Sequence, residues 1–356
     1  MSKVIILGDI CFGRDLSDID GPYISSEVAE LLENNFVIAN LENPIVDVED
    51  KNLDHLQFQG RSEKLKDFKF VDVWGLANNH INDLGAAGIA STVEILNDNG
   101  IEHCGLKPLS AHFENEEFVI FFFADMMNYQ IPQGSKYDVI NVFSDEAEKY
   151  LEDNINPDKK NILYAHTGLL FCGEPSKKIR ERLRYLTSLG LDAILTCHSH
   201  TMGPMEEVGS ATIHYSLGDF LMDGKSVRRR KSKGIQMEVV GSELKLSQIN
   251  FINDDYFVDI TEHLERSKSS FWFRLPLERY YSLFNLIYRI NLFHHVLSTF
   301  IFLIKNKGVR QFFRIVWLRR QEVLRFFSWL KADQRTKSDN YDAISVDRVK
   351  HQRENL

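Results

Sequence analysis

VDVWGLANNHINDLG, residues 71–85, joins two kinds of sequence within one short stretch. Its first part, Val71–Leu76, is a short apolar run of strand character. Its second part is polar, with Asn78-Asn79-His80 and then Asp83 three residues on, and it passes into a helical pattern, Ala86–Asn99, closed by Gly100. A strand that ends in polar residues and hands over to a helix is the repeating unit of layered α/β proteins. The same transition recurs on both sides of this stretch. Val4–Leu7 ends in Gly8-Asp9, Phe36–Ala39 runs into Asn40-Leu41-Glu42-Asn43-Pro44, Ile162–Ala165 ends at His166, and Ala193–Thr196 ends at Cys197-His198-Ser199-His200. Phe118–Phe123 is a further apolar run and Lys177–Leu189 a further helical pattern. Ala211–Ser216, Ile235–Val240 and Leu244–Ile252 read as successive antiparallel strands. The sequence therefore predicts an α/β or α+β layered domain of roughly 250 residues, with no internal repeat.

The chain has 356 residues, 44% hydrophobic and 26% charged, with a formal net charge of -9. That length buries a core without help from disulfides or metals, and the composition excludes a disordered, collagen-like or disulfide-stapled protein. Cys11, Cys104, Cys172 and Cys197 have no CxxC spacing and fit a reducing compartment. The start, MSKVIILGDICFG, is too soon polar for a signal peptide, so the expected location is the cytoplasm.

The net charge is unevenly distributed. Residues 267–331 hold twelve Lys/Arg against Glu278 and Glu322, a net +10, and 16 of the 41 Phe, Trp and Tyr. Residues 332–356 carry five charges of each sign, which leaves -19 for residues 1–266. We therefore divide the chain into a domain at 1–265, a basic aromatic helical segment at 266–331 and a disordered tail at 332–356.

The chemistry lies at the strand ends, where open α/β sheets place their sites. Five of them supply the carboxylates of Asp9 and Glu42, the amides of Asn78 and Asn79, and the imidazoles of His80, His166, His198 and His200. Taken singly, each has a plain structural reading, such as a turn residue or a hydrogen-bonded histidine. Taken together and in order, imidazole, carboxylate and amide oxygen suit a divalent Zn, Mn or Fe site, one or two ions, of hydrolytic type.

The segments GDICFGR, NLENP, LANNHINDLG, AHTG, CHSH and YSLGDF, spread over residues 3–223, resemble the signatures of the CapA family, named for capsule and poly-γ-glutamate synthesis and part of the metallophosphoesterase superfamily. The resemblance implies a four-layer α/β/β/α sandwich. It implies Asp9, Glu42, Asn79, His166, His198 and His200 as metal ligands, with Glu42 bridging two ions. It also implies a metal-bound hydroxide as nucleophile and His80 as the general acid, held by Asp83. Asn40 and Asn78 join Arg14 as candidate substrate contacts, Arg14 being equally readable as a surface arginine. Two positions depart from the pattern. Cys11 stands where a histidine is usual, as a soft ligand or a buried structural thiol. Asp219 replaces an Asn, as a further ligand or a supporting acid.

The uncharged run Ile290–Ile304 has 15 residues, fewer than the roughly 20 a spanning helix needs. The arginines and aromatics of Val309–Lys331 suit a helix lying on an anionic membrane surface, or a helical pair packed on the protein or on a synthase; no nucleic-acid motif accompanies them. The expected activity is that of a metal-dependent hydrolase of bacterial surface-polymer synthesis, peripheral at the inner membrane face, acting on an anionic polymer or a phosphorylated, lipid-linked substrate. A non-catalytic metal-binding scaffold and a general phosphatase are the alternatives.

Overall fold

The computed structural model describes residues 3–13, 16, 18–48, 53, 57–125, 134–222, 229–254 and 256–264. Arg14, the segment 266–331 and the tail 332–356 lie outside the described residues. In chain order the strands are β1 (Val4–Cys11), β2 (Phe36–Leu41), β3 (Ile45–Val46), β4 (Gly60–Arg61), β5 (Val73–Gly75), β6 (Glu102–Cys104), β7 (His112–Glu114) and β8 (Phe118–Ala124). They continue with β9 (Lys160–His166), β10 (Ala193–Cys197), β11 (Met205–Val208), β12 (Ala211–His214), β13 (Asp219–Met222), β14 (Arg229–Val240), β15 (Glu243–Asp254) and β16 (Phe257–Leu264). The helices are α1 (Ser26–Glu33), α2 (Gly85–Asp98), α3 (Asp145–Asn154) and α4 (Lys177–Thr187).

One sheet runs β16-β15-β14-β1-β2-β5-β6, with β13 added on β1; the other runs β11-β12-β10-β9-β8-β7. The strands at the centres of both sheets are almost continuously buried, as expected of strands covered on two faces. The sheets pack against each other. Phe36 on β2 stacks on Phe113 of β7 at 5.4 Å between ring centres, and Tyr164 Oη on β9 donates to Leu7 O on β1 at 2.7 Å. Ile6, Ile38, Trp74, Phe122, Ile162 and Leu195 share the apolar core between them. α1 packs on β2 and β16, α2 on β6, and α4 on β10 and β12. Three helices begin at serines: the Oγ atoms of Ser25, Ser144 and Ser176 accept the N–H groups of Val28, Ala147 and Ile179. Each such cap is worth about 1 kcal/mol. The class is mixed α/β.

The order of pairing places the site. β1 pairs antiparallel with β14 over Val4–Ile6 and then, on the same edge, parallel with β13 from Asp9. The change of partner happens beside Gly8. A Cβ there would stand 1.9 Å from Gly218 O, the carbonyl that Asp9 N–H bonds at 3.1 Å. In register, Asp219 on β13, Asp9 on β1 and Asn40 on β2 form one row across three strands. In the second sheet Cys197, His166 and Ala124 form a corresponding row across β10, β9 and β8.

Candidate metal centre

Each side chain is delivered by the end of a strand. β1 supplies Asp9; β2 supplies Asn40 and, one residue past its end, Glu42; the turn after β5 supplies Asn78, Asn79 and His80. β9 ends at His166, β10 leads into His198 and His200, and β13 opens with Asp219.

His166 is the hub. Its Nε2 lies 2.6 Å from Asn79 Oδ1, 3.0 Å from His198 Nδ1 and 3.4 Å from Glu42 Oε1. Its Nδ1 lies 3.2 Å from Asn40 Nδ2, 3.3 Å from Cys197 Sγ and 3.5 Å from Asp9 Oδ1. A second group contains Asp9, Glu42, His200 and Asp219, whose ligand atoms all lie within 4.8 Å of one another, and Glu42 is common to both groups. His200 Nδ1 donates to Asp219 Oδ1 at 2.8 Å and stands 4.0 Å from Glu42 Oε2. Asp9 accepts from Asn40 Nδ2 at 2.8 Å and from the His198 backbone N–H at 2.9 Å.

Glu42 tests the fit of a cation. It is wholly buried, yet neither of its carboxylate oxygens accepts a hydrogen bond. A buried carboxylate left in this state is costly unless a cation answers it. The spacing agrees. Ligand atoms bound at about 2.0–2.1 Å in a tetrahedral shell stand about 3.4 Å apart, and the atoms around His166 Nε2 stand between 2.6 and 3.4 Å from it. The donor set is carboxylate, imidazole and amide oxygen, which fits Zn, Mn or Fe.

The electrostatics divide the imidazoles. Burial, then His166 and His200 nearby, hold His198 well below the usual histidine range, so it is a neutral ring with a lone pair to offer. Burial opposes protonation of His200, but Asp219 and Glu42 outweigh it and push the group up to about 9. Burial raises Asp9, and the adjacent His166 overcomes this, holding the carboxyl well below the ordinary carboxylate range. The backbone is strained where it presents these groups: His198, His200 and Ser216 have φ of 102°, 57° and 51°. A hydrogen-bonded knot holds that strain. Ser199 Oγ donates to Ser216 Oγ at 2.7 Å, and Ser216 N–H donates to Thr196 Oγ1 at 2.8 Å.

His80 follows Asn79 in a short 3-10 turn, His80–Asn82. Its Nδ1 donates to Asp83 Oδ2 at 2.7 Å, and Asp83 Oδ2 also accepts Phe58 N–H at 2.7 Å. Phe58 meets the His80 ring edge-on at 4.4 Å. A proton shared between Nδ1 and Asp83 makes Nε2 the second, chemically distinct nitrogen of the ring.

Asp9, Glu42, Asn79, His166, His198, His200 and Asp219 thus stand close together at one end of the strands. Asn40 and Asn78, expected at the substrate, are instead committed inside the protein. Asn40 Oδ1 accepts from Asn78 Nδ2 at 3.1 Å, Asn78 Nδ2 also reaches Leu41 O at 2.7 Å, and Asn78 Oδ1 holds Ile81 N–H at 2.8 Å. Their amides orient Asp9 and brace the turn that carries Asn79. Cys11 packs with Phe58 and Met222 and belongs to none of the ligand groups among the described residues, which favours its structural reading. Cys197 was not singled out from the sequence. It forms a ligand group with Asp9 and His166, and burial pushes its thiol up, so it meets His166 as a neutral S–H. Its place directly before His198 was the available signal.

The sequence profile described as bacterial capsule synthesis protein PGA_cap matches residues 3–224. Two curated proteins are similar to the chain. The capsule biosynthesis protein CapA of Bacillus anthracis is 23% identical over 262 residues, which cover 65% of this chain and 62% of that protein. The PGA biosynthesis protein CapA of Bacillus subtilis (strain 168) is 26% identical over 254 residues, which cover 65% of this chain and 66% of that protein. The chain thus spans a little under two thirds of the length of each. Among solved structures, a hypothetical protein from Thermus thermophilus overlaps 73% of this chain and 100% of its own at 11% identity and a TM-score of 0.44. Vps29 of Entamoeba histolytica complexed with Zn overlaps 74% and 98% at 14% identity and a TM-score of 0.30.

Proposed function

The chain belongs to the bacterial capsule synthesis protein PGA_cap family, and on that footing we propose that it is a metal-dependent hydrolase acting in the production of a bacterial surface polymer. One observation carries the reading: the fully buried Glu42 carboxylate, without a hydrogen bond on either oxygen, faces His166 and His200 at 3.4 and 4.0 Å. Asn79, His166, His198 and Glu42 would hold one divalent ion, and Asp9, Glu42, His200 and Asp219 a second, with Zn, Mn or Fe all compatible with the donors. Such ions acidify a water and neutralise charge growing on a phosphoryl or acyl oxygen.

The chain's own residues supply the rest. Three buried carboxylates, Asp9, Glu42 and Asp219, repel an anionic substrate in the absence of cations, so substrate binding is coupled to metal loading. Asn40 and Asn78 keep Asp9 and Asn79 in place. Asp83 holds the Nδ1 proton of His80, and the ring, acting as general acid in its imidazolium form, gives its Nε2 proton to the departing oxygen or nitrogen and is left as the neutral Nδ1–H imidazole. The substrate is an anionic polymer such as poly-γ-glutamate or a phosphorylated, lipid-linked sugar. The segment 267–331 docks the protein at the inner membrane face or on a synthase.

The test has two arms. Bound Zn, Mn and Fe are measured in the wild type and in a His198→Ala/His200→Ala variant, with loss of metal in the variant expected; equal metal in both sinks the reading. Hydrolysis of phosphomonoesters, phosphodiesters and γ-glutamyl polymers is then compared with that of His80→Ala. A drop of about 100-fold or more is expected for loss of a general acid. A wild type that holds metal and turns over none of them is a scaffold.

A further inference from the structure

Two loops leave the centre side by side. One runs from His166 through Leu169-Leu170-Phe171-Cys172 to Gly173, the other from Cys197 through His200 to Met202 and Gly203. Thr167 N–H donates to Cys197 O at 3.0 Å, and Phe171 N–H donates to Ser199 O at 2.7 Å. A Cβ on Gly173 would meet Met202 O at 2.5 Å. The first loop folds back in a tight turn, with Cys172 N–H donating to Leu169 O at 3.0 Å and Phe171 at a φ of 60°. Glycine is the residue that turn position favours, and a bulky side chain there is a departure that surrounding contacts must hold. What the phenylalanine brings is its ring, whose centre lies 5.8 Å from that of His200.

Leu170, at the tip of the turn, is 38% exposed and Met202 39% exposed. Isolated apolar residues at a surface are ordinary. These two, however, stand on the very loops that carry His166, His198 and His200, and Phe171, next to Leu170 in the chain, sets its ring beside His200. The hydrolytic reading has no use for any of the three.

We propose that Leu170, Phe171 and Met202 form a subsite for the hydrocarbon part of an amphiphilic substrate whose anionic head occupies the metal centre. The proposal rests on the metal-centre reading and narrows it to lipid-linked esters. Because the Phe171 ring borders His200, whatever lies on the rim continues a molecule already at the centre. Leu170 and Met202 offer nothing to sugar hydroxyls or to the carboxylates of a γ-glutamyl polymer. A hydrocarbon chain gains there, each methylene removed from water being worth about fourfold in affinity.

The full chain, loaded with Zn or Mn, is titrated calorimetrically with methylphosphonate and octylphosphonate. Octylphosphonate is expected to bind at least about tenfold more tightly, from burial of only a few of its methylenes. In Leu170→Asn/Met202→Asn the two ligands become equal within about twofold, with bound metal measured alongside to show that the centre is intact. Phe171→Gly, which suits the φ and so folds, also loses the chain-length dependence. Equal affinities in the wild type overturn the subsite while leaving the metal centre standing. So does a preference kept in both variants, or octylphosphonate binding that persists after the metal is removed. If neither phosphonate binds the loaded protein, the metal-centre reading fails and the subsite with it.

Discussion

Glu42 concentrates the physical problem of the site in one side chain. A carboxylate at zero exposure with no hydrogen bond lowers the stability of the metal-free fold and raises its affinity for a cation, for the same reason. Glu42→Gln keeps the shape and removes the charge. The metal-free variant is expected to melt no lower than the metal-free wild type, while the rise in Tm on adding Zn or Mn disappears; calorimetry with and without a chelator measures both. A variant that melts lower without metal and still gains from it contradicts the assignment. Lys233 poses the opposite problem on the other side of the ligand loop. It is buried, its Nζ donates to Gly203 O at 2.6 Å, and desolvation lowers it from 10.5 to about 7. Between those values the unfolded chain binds the proton and the folded one does not, so this group makes stability rise with pH across that window, by up to about 1.4 kcal/mol per unit. Lys233→Met is expected to flatten that rise. Comparing urea unfolding of the two proteins between pH 7 and 10 isolates it, because the groups they share cancel; parallel curves refute it.

The elements explain why ligands from distant parts of the sequence meet. Asp9, Asn40 and Asp219 share a row of the first sheet, and His166 and Cys197 share one in the second. The first row depends on the approach of Gly218 to Gly8. Gly8→Ala puts a methyl 1.9 Å from Gly218 O and is expected to cost about 3 kcal/mol or more, with loss of bound metal. Gly100 has a φ of +65° and open space around its missing Cβ, so Gly100→Ala costs only the left-handed penalty of about 1–2 kcal/mol and keeps its metal. Denaturant melts and metal content of the pair test the idea, and equal losses would refute it. The central strands were legible as apolar runs, and their polar ends marked the candidate ligands, because burial on both faces leaves few residue types available. β13 was missed, since its four residues are set by the distant Gly8–Gly218 contact. The first half of β14, Arg229–Gly234, has a charged sequence with no strand pattern. α1 and α3 each bury only two side chains, Val28 and Leu32 or Ala147 and Leu151, too few for a clear helical period, although their serine caps were there to be read. The amides of Asn40 and Asn78 carried no sign of which way they point, and Cys197 gained its place only through the register of β9 with β10.

At the scale of the whole molecule the question is how a unit this acidic would meet the anionic substrate proposed for it. The first 266 residues carry -19 and the next 65 carry +10. The candidate ligands among the described residues fall between Asp9 and Asp219, within the matched span 3–224. No helix among the described residues is long and apolar enough to cross a membrane. A lipid-linked substrate, if that is what the centre takes, requires the protein to meet the bilayer, and Arg310, Arg314, Arg319, Arg320 and Arg325, set among Phe312, Phe313, Trp317 and Phe327, have the composition for such a contact. Each arginine near an anionic surface contributes about 1 kcal/mol, so changing all five to Gln is expected to lower binding by at least about 100-fold. Flotation of the full chain with phosphatidylglycerol-containing vesicles measures this. Binding should fall as salt is raised and should be absent with purely phosphatidylcholine vesicles. Flotation that is equal on both vesicle types, or unaffected by the five substitutions, would assign the segment to a protein partner and leave the substrate to be brought to the centre by that partner.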